Sequence, residues 1–247
     1  MCSGTSRLAL LERKAQVSVH WITGEGKSGV SSHQDLGRGI GRIIQSDACV
    51  VEGAEWLAAQ DGRFAAALEQ TGPLPLRRKP DGFAELLSAI VSQQVSVASA
   101  RAIWARMETA GLTVPERILQ ASEEELRGAG LSSQKIRYAR ALSEAGIDFN
   151  ALRGLDDAEV VATLTQVSGI GVWTAEIYAM FSLGRADVFA PGDLALQEGA
   201  RLLFDLAERP KERALRQMAE AWSPWRSVAA RLLWAYYHVA KDREGIR

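Results

Sequence analysis

The sequence predicts an all-α fold, and three observations predict it. Apolar residues recur at helical spacing from Asp47 onward, as in Trp56, Leu57, Phe64 and Leu68. Most of these runs open on Ser or Asp, the residue types that cap helix N-termini. Strand-like patterning is confined to an extended stretch at Val17–Ile22. The helices are short, end in capped breaks and show neither heptad persistence nor internal repeats. They therefore belong in a compact domain rather than a coiled coil.

The elements follow in order. Residues 1–45 are rich in glycine and serine, as in Gly24-Glu25-Gly26-Lys27-Ser28-Gly29, and are expected to be a disordered extension preceding a helical domain at 46–247. Gly26-Lys27-Ser28 suggests a phosphate-binding loop, but Trp21 stands where that motif needs its first glycine, so the motif is rejected. Helices are expected over Glu52–Gln60 and Asp61–Gln70, then a break at Gly72-Pro73-Leu74-Pro75. Asp81 is expected to cap the run FAELLSAIVSQQ, Ser96 the run VASARAIWARMETA, and Ser132 or Ser133 the run QKIRYARALSEA. Ser122 with Glu125 reads as a capping box. Asp157, Ala158 and Glu159 open a helix with Val160, Val161, Leu164 and Val167 at its apolar positions. Further helices are expected after Asp193 and over Lys211–Ala221. Ser223 as cap and Pro224 at the first helical position should open the last one.

Composition sets bounds on function. The chain has 247 residues, 47% hydrophobic and 24% charged, with a formal net charge of −1, as an ordinary globular protein has. Bulk charge does not announce a nucleic-acid partner. Local basic clusters exist at Arg77-Arg78-Lys79 and Lys135-Arg137-Arg140, although such runs are ordinarily solvated surface. Two cysteines exclude a disulfide framework and a four-cysteine iron–sulfur cluster. No apolar run reaches the length of a membrane span, and no secretory signal is evident, so the expected location is intracellular, in the cytoplasm or nucleoid. His20, His33 and His238 lack metal-ligand spacing.

The chemistry concentrates between Leu164 and Asp193. A helix is broken by Ser168-Gly169-Ile170-Gly171, and Val172 starts a second helix carrying Trp173, Ile177, Met180 and Phe181. Glycines let the backbone turn sharply and leave the N–H groups at the second helix's start uncovered, which suits an anion such as a nucleic-acid phosphate. Asp193 follows a loop from Gly184 to Gly192 and precedes another helical run. An aspartate before a helix is ordinarily a plain cap, and a tryptophan on a helix is ordinarily core. Glu176, one turn from Trp173, reads as surface charge.

The combination GIGxWTA, with Pro191-Gly192-Asp193 twenty residues beyond Trp173, resembles the helix-hairpin-helix (HhH-GPD) DNA glycosylases. Ser92-Gln93-Gln94-Val95-Ser96 and Trp222-Ser223-Pro224-Trp225-Arg226-Ser227 add to the likeness. It covers roughly 82–239, with the hairpin at 159–183, and is nearest to the branch of 3-methyladenine DNA glycosylase II. The resemblance implies two helical lobes with a cleft between them, and double-stranded DNA with damaged bases as the partner of a monomer. It implies hydrolytic release of alkylated purines by base flipping, initiating base excision repair. It makes Asp193 catalytic. It assigns Trp173 and Trp234 to the base pocket; among the other aromatics Tyr178 and Trp104 are weaker pocket candidates, and Trp222 and Trp225 read as packing around the Ser223-Pro224 cap. Gln94, with Gln93 beside it, becomes the wedge that fills the vacated duplex, and Gly169, Ile170, Gly171 and Thr174 the phosphate-binding hairpin. An indole at Trp173, where lyase branches carry a lysine, implies no lyase activity. No cofactor is required. An alkali ion, Na+ or K+, is implied on the backbone carbonyls of Thr165, Val167 and Ile170. Ile177 stands where the alkylpurine enzyme of the family has tyrosine. The rival readings are a same-fold glycosylase for deaminated or oxidised bases, and a non-catalytic DNA-binding module.

Overall fold

The computed structural model describes residues 40–243, which form thirteen α-helices. These are α1 (Asp47–Gln60), α2 (Gly62–Thr71), α3 (Phe83–Ser92), α4 (Val97–Thr109), α5 (Pro115–Gln120), α6 (Glu123–Gly128) and α7 (Ser133–Glu144). They continue as α8 (Phe149–Gly154), α9 (Asp157–Thr165), α10 (Val172–Tyr178), α11 (Leu194–Leu203), α12 (Glu212–Met218) and α13 (Arg226–Arg243). The one β-bridge among the described residues joins Ile43 to Arg185. The expected extended run Val17–Ile22 and the Gly26-Lys27-Ser28 segment lie outside the described residues.

Local capping chemistry sets most boundaries. Asp61 closes α1 and caps α2, accepting from the Arg63 N–H at 2.9 Å. Ser96, Ser122 and Ser132 each accept from the N–H three residues on, at the starts of α4, α6 and α7. Asp156 and Glu159 form the capping box of α9. Two expected caps differ. Asp81 does not cap α3, whose N-cap is Gly82. Its carboxylate accepts instead from the Arg153 guanidinium at 2.5 and 2.9 Å, tying the start of α3 to α8. A bidentate guanidinium is a stronger partner than one backbone N–H. Ser223 and Pro224 precede α13 without capping it, because the Ser223 hydroxyl donates to Asp187 at 2.7 Å and Arg226 grips the same carboxylate.

Buried apolar side chains form one continuous cluster. Around it α1, α2, α11 and α13 pack on one another, while α3 packs on α4 and α7, and α5 and α6 pack on α7. α11 and α13 come very close: a Cβ on Gly199 would stand 2.6 Å from the Leu233 carbonyl oxygen. Trp222 stacks on Phe204 with centroids 5.7 Å apart and meets Phe64 and Phe189 edge-on, so it packs the core as expected, and Trp225 is also buried.

The span expected to be a disordered extension, 1–45, includes residues that join the fold. Residues 1–39 lie outside the described residues, but Arg42–Ile44 belong to the fold. The Ile44 side chain is fully buried, its N–H donates to the Gly184 carbonyl at 2.7 Å, and the Arg42 carbonyl accepts from Ala186 N–H at 2.9 Å. A short strap therefore runs along the loop that leads to Asp193.

Candidate active site

The hairpin is built as the glycines suggest. α9 ends at Thr165, and Gly169 has a φ of 96°, a left-handed conformation that disfavours side chains. A Cβ there would also overlap the Tyr138 ring. Gly171 caps α10 with an ordinary φ of −85° and open space where a Cβ would stand. The N–H groups of the first turn of α10 have no carbonyl four residues back to bond. Thr174, the third residue of α10, stands in this first turn as expected; its side chain is buried and lines the neighbouring cleft. Gln93 is bound to the hairpin, its Nε2 donating to the Gly169 carbonyl at 3.0 Å.

α10 runs directly into a π-helical turn, Ala179–Leu183, which Gly184 ends in the left-handed conformation. The loop from Gly184 to Pro191 is nearly all buried. Its groups are satisfied from several sides: Arg185 N–H donates to Ala179, the Ala186 carbonyl accepts from Ser227 N–H, and the Pro191 carbonyl accepts from Gln197 Nε2 at 2.8 Å. A loop this thoroughly bonded delivers Asp193 to a fixed place.

Asp193 caps α11, its Oδ1 accepting from the N–H groups of Ala195 and Leu196 at 2.9 and 3.1 Å. The same Oδ1 accepts from Trp234 Nε1 at 3.2 Å. Oδ2 accepts from Trp173 Nε1 at 3.1 Å. Two indoles from α10 and α13 thus clamp one carboxylate, an arrangement absent from the sequence reading. Oδ1 is committed to three donors, whereas Oδ2 keeps capacity for another.

Beside this clamp lies a cleft of about 520 Å³ between α3 and α10. Trp173, Ile177, Tyr178, Gln93 and Gln94 line it. Trp173 is 47% exposed, so its ring is available to a ligand. Tyr178 is buried, and its hydroxyl accepts from Gly82 N–H at 2.7 Å. Burial above all holds its phenol up at about 12, so it stays a neutral group in the wall. Gln94 is exposed with a φ of 57°, a strained conformation for a non-glycine residue. It sits just past the end of α3.

Other expected residues sit elsewhere. Trp234 is brought to Asp193 but is not among the residues lining the cleft; it is buried, and its ring packs on Phe181 with centroids 5.8 Å apart. Trp104 donates to Glu108 at 2.9 Å and lines a separate hollow of about 290 Å³. Glu176 is not surface charge: it is buried and pairs with Arg216 at 2.9 Å, with burial raising its carboxyl above the usual range. Lys135, expected in a solvated basic run, is buried and donates to the Val91 carbonyl at 2.5 Å. Sequence reasoning left Lys79 in a solvated basic run and passed over Glu85; both line the cleft and pair at 2.7 Å. No spacing signal marks them.

Among the described residues no cluster of His, Cys, Asp and Glu could hold a metal ion, and no helix is long and apolar enough to cross a membrane. The family model for HhH-GPD superfamily base excision DNA repair proteins matches residues 87–224. DNA-3-methyladenine glycosylase 1 of Schizosaccharomyces pombe is 32% identical over 178 residues, 68% of this chain and 78% of that protein. Among solved structures, a DNA-3-methyladenine glycosidase from Bacillus halodurans is similar with a TM-score of 0.71 and 37% identity, covering 81% of this chain and 94% of that one. The S. pombe 3-methyladenine DNA glycosylase, solved in complex with abasic DNA, is similar with a TM-score of 0.65 and 30% identity, covering 74% of this chain and 95% of that one. The chain belongs to the HhH-GPD superfamily of base excision DNA repair proteins.

Proposed function

We propose that this chain is a DNA glycosylase that flips alkylated purines out of duplex DNA and hydrolyses their N-glycosidic bond. The observation that carries the reading is Asp193, clamped by Trp173 and Trp234 next to a cleft with room for a base, which Trp173 also lines. The relatives named for 3-methyladenine support the substrate class.

The reaction needs a group that tolerates positive charge at the sugar as the base departs. Asp193 Oδ2 supplies that negative charge, and it accepts a proton from the attacking water. The water oxygen bonds to C1′ while the C1′–N bond breaks, its electron pair leaving with the base. A base that carries positive charge leaves neutral. The flipped base stacks against Trp173, where a flat cation gains cation–π attraction. Gln94 enters the gap in the duplex, and the N–H groups at Gly171 and the first turn of α10 hold a phosphate. The carbonyls of Thr165, Val167 and Ile170 would hold Na+ or K+, which adds charge attraction for that phosphate. They suit it: Thr165 and Ile170 carry no backbone bond on their carbonyls among the described residues, and Val167 accepts only from Ile170 N–H. In this reading the enzyme works as a monomer on DNA in the cytoplasm or nucleoid.

Position 173 carries an indole and no amine, so no Schiff base forms there and the product is an intact abasic site. The test is incubation with methylated duplex DNA, mass identification of released bases, and borohydride trapping. Release of 3-methyladenine or 7-methylguanine with uncut strands and no trapped adduct is the expected result. Release of no base from any damaged duplex would leave a DNA-binding module, and a trapped adduct would assign a lysine to lyase chemistry.

A further inference from the structure

We propose that Glu85, with Lys79 as its displaceable counter-ion, selects positively charged bases in the cleft. This deepens the glycosylase reading and rests on it for the identity of the occupant. Asp193 is not among the residues lining the cleft, whereas Glu85 is. The two carboxylates therefore have separate tasks: Asp193 faces the sugar, and Glu85 meets the base.

The pair has the geometry of an exchange site. Lys79 Nζ stands 2.7 Å from Glu85 Oε1, with 54% of the lysine side chain exposed but only 20% of the glutamate's. The carboxylate is the withdrawn, fixed partner, set in the first turn of α3 where the helix N-terminus favours a negative charge. The ammonium is the solvent-side partner on a long flexible stem. A half-exposed ion pair of this kind is weak, so exchanging its cation costs little. A cationic purine entering the cleft takes Lys79's place on Glu85, and Lys79 swings into water. The charge count is unchanged and no carboxylate is left unpaired. A neutral base that pushes Lys79 aside strands Glu85 without a partner; one that leaves Lys79 in place has less room. Tyr178, on the same wall, stays protonated and adds no competing negative charge. Trp173 provides the aromatic face for the same cation.

The experiment compares single-turnover release of 7-methylguanine, a cation in DNA, with release of neutral hypoxanthine. Glu85→Gln should lower the 7-methylguanine to hypoxanthine ratio by about twofold to fivefold, the scale of one partly exposed charge pair. Lys79→Gln should raise that ratio, because Glu85 then waits unpaired. Opposite shifts from two folded variants cannot come from general damage to the site. A second readout is independent of catalysis: quenching of tryptophan fluorescence by 7-methylguanosine, a soluble cation, against neutral inosine. Glu85→Gln should weaken the first and leave the second. Base release with an unchanged ratio in both variants would overturn the proposal and leave the glycosylase reading intact. If the wild type releases no base, that reading falls, and nucleoside binding alone decides: cation binding that depends on Glu85 supports the selector, and binding indifferent to Glu85, or none, overturns it.

Discussion

At the scale of single residues, the carboxylate of Asp193 carries two loads that one substitution separates. Asp193→Asn keeps an Oδ1 that can cap α11, so the fold should persist. It removes the negative charge and the water's proton acceptor, and base release should fall by about 10²–10⁴-fold. Neutral lesions should suffer more than cationic ones, whose base is already a good leaving group. Single-turnover release beside binding to abasic DNA checks this, and near-wild-type release from a folded variant would sink the mechanism. Trp173→Phe probes the clamp: it keeps an aromatic face but loses the donor to Oδ2. Release should slow by about tenfold, the scale of one hydrogen bond to a charged group, while abasic-DNA binding holds. Slowing no greater than in a surface control variant would mean that the indole N–H positions nothing. Asp193 and Trp173 were legible in the sequence because they belong to one local pattern twenty residues long. The second indole was legible only as a pocket residue, because 41 residues separate Trp234 from Asp193 and only packing of α13 brings them together. Glu176 was misread for the same reason. Helical spacing puts it one turn from Trp173 but cannot show that Arg216 of α12 lies across it.

At the scale of elements, the hairpin contains two glycines with different duties. Gly169→Ala forces a side chain into a left-handed φ and against Tyr138, so it should destabilise the fold by about 1–3 kcal/mol. Gly171→Ala meets no atom and keeps an ordinary φ, so melting should change by about 1 kcal/mol or less. Its methyl stands where a phosphate would approach the first turn of α10, and duplex binding at equal salt should weaken. The sequence treats both glycines alike; the structure divides them, since Gly169 needs a left-handed φ beside Tyr138 and Gly171 needs neither. Binding by a folded Gly171→Ala protein as tight as wild type would place the phosphate grip elsewhere. Most elements were readable, since capping residues and apolar spacing are local signals; α5 and α8, six residues each, were not, because so short a helix shows no apolar period. Cap identity failed at Asp81 and Ser223, where Arg153 and Asp187, remote in sequence, offer these side chains other partners.

At the scale of the whole molecule, the loop that ends on Asp193 depends on a segment from the other end of the described chain. Composition joins Arg42–Ile44 to a glycine-rich run, and nothing local distinguishes them from it. Their role is tertiary. Ile44 fills a buried site, and two backbone bonds tie the strap to Gly184 and Ala186. Burying one isoleucine contributes about 1.5–3 kcal/mol and each backbone bond about 1 kcal/mol. Two truncations isolate the strap, one removing residues 1–40 and one removing residues 1–45. Relative to the first, the second should lose about 3–5 kcal/mol, a melting shift on the order of 10 °C for a domain of this size. The loss should reach the chemistry as well. Gly184 and Ala186 lose bonding partners, the loop loosens, and Asp193 no longer arrives at a fixed distance from Trp173 and Trp234. Base release should therefore fall in the shorter protein even well below its melting temperature, while binding through the first turn of α10 is retained. Equal melting temperatures for the two truncations would show the strap to be dispensable. Unequal melting with equal release would show that the buried loop holds Asp193 without it.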